Sequence, residues 1–110
     1  SVTASFTAVS EPPATCDAKI KDWQKKVAEH KHPWWHNYPL RISLKMYAEA
    51  LEELGRAKAK VGKSDKRYLH AEKEFNDGKS ALCHGHYWRA DHEFWDAFQI
   101  ARQIVKQSRR

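Results

Sequence analysis

The stretch Ser64 to Lys106, interrupted once at Cys83-His84-Gly85-His86, constrains this chain more than any other. Glycine can take the positive φ that ends a helix, so the pattern predicts two helices folded back on each other there. Tyr68, Ala71, Phe75, Gly78 and Leu82 recur at helical spacing before the turn. After it, Tyr87, Ala90, Phe94, Ala97, Phe98, Ala101, Ile104 and Val105 make one broad apolar face. Trp88 and Trp95 flank that face, and His92 lies just beyond them. Such a stripe is wider than one partner helix needs. It must pack against two helices or offer part of itself to another molecule.

Upstream, two more helices are legible. Cys16, Ile20, Trp23, Val27 and His30 fall on one helical face, with Thr15 placed to cap the start. Leu40, Leu44, Tyr47, Leu51, Leu54 and Val61 repeat close to every 3.5 residues, a bundle seam that begins just after Pro39. Between them, His32-Pro33-Trp34-Trp35-His36-Asn37-Tyr38-Pro39 carries two prolines and is read as a connector that folds down over one end of the bundle. Ser64 is the expected N-cap of the third helix. The predicted fold is therefore all-α: a small antiparallel four-helix bundle with helices over about 15–31, 39–61, 64–84 and 86–108, forming a single domain over 14–110. Residues 1–13 are expected to be an extended or flexible arm, in which Val2, Ala4, Phe6 and Ala8 alternate with small polar residues ahead of Pro12-Pro13.

The run Gly85-x-Tyr87-x-x-Ala90-x-x-x-Phe94-x-x-Ala97 resembles the second half of a tetratricopeptide repeat, with Gly78 matching the small residue on that repeat's first helix. Asp77 stands where the motif has a large apolar residue, and no second copy follows; a solenoid needs about three repeats. What the resemblance implies is a tightly packed helical hairpin.

Composition bounds the function. At 110 residues there is room for one core, and five Trp, four Tyr and four Phe make that core affordable although 31% of residues are charged. No apolar run approaches the roughly 18 residues that span a bilayer. A net charge of +6 favours anionic partners such as an acidic protein. The most basic tract, Arg56 to Arg67, holds six positive charges against one negative, and is read as a solvated helix end. The chain opens at Ser1 with ten uncharged residues, as a mature exported protein does, so a periplasmic or secreted location is expected. In that setting two cysteines predict a Cys16–Cys83 disulfide. Closing a loop of this length contributes on the order of 4 kcal/mol in the chain-entropy model.

Enzyme chemistry has little to stand on. There is no Gly-x-Ser-x-Gly, phosphate-binding glycine loop or nucleotide fingerprint. Asp91, Glu93 and Asp96 are expected as solvent-side charges beside Arg89 and Arg102. Nucleic acid is disfavoured as a partner, because the Trp residues sit near histidines or on the apolar stripe rather than among the basic clusters. The residues expected to meet a protein partner are Trp34, Trp35 and Tyr38 of the connector and Trp88, His92 and Trp95 of the last helix, with inhibitor, chaperone or accessory roles in view and a homodimer through helix 86–108 as one form of contact. No cofactor is required by that reading. The alternative is a transition-metal binder for Zn, Cu or Ni, using His30, His32 and His36 or His84 and His86. With helices one and three joined at the cysteines, the two histidine groups are expected at opposite ends of the bundle. Neither has the paired spacing of a strong metal motif.

Overall fold

The computed structural model describes residues 13–29 and 38–107, which form four helices: α1 (Pro13–Glu29), α2 (Tyr38–Val61), α3 (Lys66–Cys83) and α4 (Tyr87–Gln107). The expected arm over 1–13 lies outside the described residues except for Pro13, the first residue of α1. Among the described residues there is no strand, and no helix is long and apolar enough to cross a membrane. The all-α bundle is as the periodicity predicts, with helix ends shifted by one or two residues.

One shift has a clear cause. Asp65, not Ser64, is the N-cap of α3: its backbone is extended, and its Oδ1 accepts from the N–H groups of Arg67 and Tyr68 at 2.9 and 3.2 Å. A carboxylate capping two orphan donors also faces the positive end of the helix dipole. Loss of solvation opposes the charge here, but those two N–H groups and the Arg67 guanidinium outweigh it and hold the Asp65 carboxyl below its ordinary range.

The turn at Cys83-His84-Gly85-His86 is a helix-ending motif with Gly85 at φ +85°. The Gly85 N–H donates to Leu82 and the His86 N–H to Ala81, which satisfies the last carbonyls of α3. The inward stripe of α3 is the expected one: Tyr68, Ala71, Phe75, Gly78 and Leu82 are all buried.

Helix α4 packs against both α2 and α3, so the wide stripe serves two neighbours. Tyr47, Phe75 and Phe94, one from each of α2, α3 and α4, meet with ring centroids 5.2 to 5.5 Å apart. Because α3 turns back on α2 and α4 turns back on α3, α2 and α4 run parallel. The seam of α2 differs from the 3.5 repeat. Leu51 is 49% exposed, while Ala50 and Ala57 are fully buried. A straight helix drifts against a 3.5 repeat, so by its middle turns the inward face has moved to the small residues. On α4, Ala90, Ala97 and Ala101 are likewise fully buried.

Helix α1 is attached differently. Its first turns are tied to the end of α3 by the Cys16–Cys83 disulfide, with Cα atoms 5.9 Å apart, and by a 2.8 Å ion pair from Lys79 to Asp17. Its last turns, at Gln24, Val27 and Ala28, lie beside Arg41, Leu44 and Lys45 in the first turns of α2. It therefore crosses one end of the α2–α3 pair rather than running its length. Cys16 and Ile20 are buried, with Trp23 and Val27 partly so. The crossing corrects one expectation: Glu29 and Tyr38, which bound the histidine-bearing connector, sit at the Cys83 end of the bundle.

Candidate functional site

The outer flank of α4 carries the most distinctive surface. Ala90, Phe94, Ala97, Ala101 and Ile104 point inward, so residues a third of a turn or more away must point out. Trp88 and Trp95 are 58% and 47% exposed, and the His92 side chain is 74% exposed. The three expected α4 contact residues thus share one face. Trp95 stacks on Phe98 with centroids 5.9 Å apart, and the Arg102 guanidinium lies over Phe98 at 5.8 Å. His92 faces Asp96 at 3.5 Å one turn later.

Beside this stripe is an open groove of about 490 Å³ between α2 and α4, lined by Glu49, Glu53 and Arg56 on one wall and Phe98, Arg102 and Lys106 on the other. Ascending residue numbers run the same way along both walls, as parallel helices require. Glu53 is only 7% exposed, and Arg56 bonds both Glu53 and Glu52. Its hydrogen bond to Glu53, then the charge of Glu52, hold Arg56 above its ordinary value. Arg56 and Arg67 both belong to the basic tract, yet neither is a free cation: Arg67 pairs with Asp65 and bonds Gln107.

Glu93 is the residue that the sequence misplaced. Its carboxylate is 15% exposed, not solvent-side, and sits 3.7 Å from Arg89 with Oε1 buried and accepting no hydrogen bond. Burial pushes its carboxyl up from the ordinary value; Arg89 opposes the shift, and Asp77 and Glu74 of α3 add to it. Burial also raises Asp91, against the opposing influence of His92. The spacing Ala90–Glu93–Ala97 put Glu93 on the α3 side of α4, a signal that its charge concealed.

Of the remaining expected site residues, His30, His32, Trp34, Trp35 and His36 lie outside the described residues. Tyr38 opens α2, and its side chain is likewise outside them. His84 and His86 are exposed and line a depression of about 330 Å³ with Asp77, Ser80 and Arg89. The His84 Nδ1 is 2.7 Å from the Ser80 carbonyl, the arrangement in which Nδ1–H donates. Among the described residues no group of three or more His, Cys, Asp or Glu side chains is placed to hold a metal ion. Cys83 is committed to the disulfide and offers no thiolate.

No protein-family model, no curated protein and no solved structure matches this chain.

Proposed function

We propose that this protein is a small exported binding module that acts through contact with a protein partner and not through catalysis. The reading is supported above all by Trp88 and Trp95, which leave two large indoles about half exposed on one flank of a well-packed helix. Trp is among the residues most enriched at binding hot spots, because a rigid aromatic gains much contact area at small entropic cost. An oxidising compartment agrees with the Cys16–Cys83 bridge, since such bonds are rare where thiols are kept reduced. An inhibitor, chaperone or accessory role fits a surface of this kind.

The test is pull-down from the exported fraction of the source cells with immobilised oxidised protein, comparing the wild type with Trp88→Ala and Trp95→Ala. The expected outcome is a partner lost in both variants at unchanged helical content and melting temperature. Equal capture by all three proteins, or collapse of the fold in the variants, would sink the assignment.

A further inference from the structure

We propose that the end of the bundle formed by the α2–α3 turn and the close of α4 docks electrostatically on anionic phospholipid headgroups at a membrane surface. The inference is independent of the partner assigned to the flank of Trp88 and Trp95. Three segments of the chain meet at this end. Helix α2 closes with Lys58 and Lys60, Lys63 follows in the turn, and Lys66 and Arg67 open α3. Arg67 bonds Gln107, the last residue of α4, which brings Lys106 to the same end, with Arg102 about one turn before it.

Charge is segregated here. Over 57–71 and 97–107 stand seven cations and a single carboxylate, Asp65. With histidine neutral, they account for the whole net charge of +6, and over the rest of the chain thirteen basic and thirteen acidic residues cancel. Asp65 is committed to capping α3 and to Arg67. Among the described residues no carboxylate pairs with Lys58, Lys60, Lys63, Lys66, Arg102 or Lys106, and all six are exposed. Helix dipoles explain little of this. The C-termini of α2 and α4 carry roughly −0.5 each and the N-terminus of α3 roughly +0.5, so together they offset about half of one charge.

The residue types select the partner. Five of those six cations are lysines, compact point charges on flexible stems, which suit a diffuse anionic surface better than bidentate recognition of one group. Lysine is depleted at protein–protein interfaces, where arginine and aromatic residues are enriched. A nucleic-acid strand would need exposed rings among the charges on which to stack its bases. Tyr68 is buried, however, and the Phe98 ring lies beneath Arg102. Lipid headgroups require neither arginine forks nor exposed rings.

Co-sedimentation of the oxidised full chain with vesicles tests this, using phosphatidylcholine alone or with roughly a quarter phosphatidylglycerol. Expected is binding to the phosphatidylglycerol vesicles only, lost at about 0.5 M salt, where screening confines the attraction to a few ångström. Lys60→Gln with Lys63→Gln should weaken it about tenfold or more, each basic residue being worth several-fold at an anionic surface. Lys21→Gln with Lys25→Gln removes the same charge from exposed positions on α1, at the other end, and should weaken it less than about threefold. Circular dichroism of each variant confirms that it is folded. Absence of binding at low salt, or equal losses in the two double variants, overturns the proposal. So does binding that Trp95→Ala abolishes, which would move the contact to the aromatic flank. Capture of an oligonucleotide in preference to the vesicles would overturn it as well and make the partner a nucleic acid.

Discussion

The ring of Phe94 lies directly against the backbone of Gly78: a Cβ built at Gly78 would come within 2.7 Å of both Cδ1 and Cε1 of that ring. Phe94 is fully buried between α2 and α3, so it has nowhere to retreat. Gly78→Ala should therefore destabilise the fold by about 1–3 kcal/mol, the usual cost of overpacking a core. That result would come in spite of alanine's helix propensity, which favours the substitution by up to about 1 kcal/mol. Urea unfolding followed by circular dichroism measures the difference. A neutral or stabilising substitution would show that the α3–α4 interface is looser than this contact implies.

Gly55 makes the opposite case. It is also in a helix interior, in α2, but it is exposed and a Cβ there would meet nothing within 4 Å. Only propensity remains, so Gly55→Ala should stabilise by roughly 0.5–1 kcal/mol. The same urea titration serves, and the two alanine substitutions should move the midpoint in opposite directions.

The Cys16–Cys83 bridge closes a loop with a sequence separation of 67. Replacing both cysteines by serine should cost about 4 kcal/mol, mostly by freeing the unfolded chain. The loss should not be uniform. Beyond the bridge, α1 is held by the Asp17–Lys79 pair, by buried Ile20 and by partly buried Trp23 and Val27, whereas α2, α3 and α4 share the aromatic core. Hydrogen exchange should show amides of α1 losing protection first while those of α4 keep it. Uniform loss across all four helices would mean that α1 is an integral part of one cooperative unit.

Glu93 sets a pH dependence of definite sign. With its carboxyl raised in the folded state, the native protein holds a proton that the unfolded chain has released. Its contribution is thus most favourable in acid and is lost as pH climbs from the ordinary carboxylate range, about 4.3, through the raised value. Glu93→Gln removes that loss. Urea midpoints across this window should fall less steeply for the variant, and at neutral pH the variant should be the more stable of the two. Parallel profiles would place the carboxylate in solvent after all.

Much of the architecture was legible because it rests on local chemistry. The helical period, the glycine that ends α3 and the aromatic stripes each act over a few residues, so they predicted four helices and the sharp turn at Gly85. The bridge was legible through cysteine count and through the position of Cys16 on an apolar stripe. At the candidate site, the position of Trp88, His92 and Trp95 on the flank of α4 was legible from the spacing, whereas their exposure is a finding of the structure. The groove beside them could not, because its far wall belongs to α2. Leu51 and Glu93 were misread for one reason: a residue's type was allowed to stand for its environment.

What the sequence by itself determined, then, is which segments are helical, which face of each is apolar and which cysteines pair, all properties of spacing and composition. Only the tertiary structure decided how the helices share their faces. It laid α2 parallel to α4, and it turned α1 across one end of the bundle. Crossing geometry depends on the summed shape of side chains far apart in the chain, and no local pattern encodes that sum.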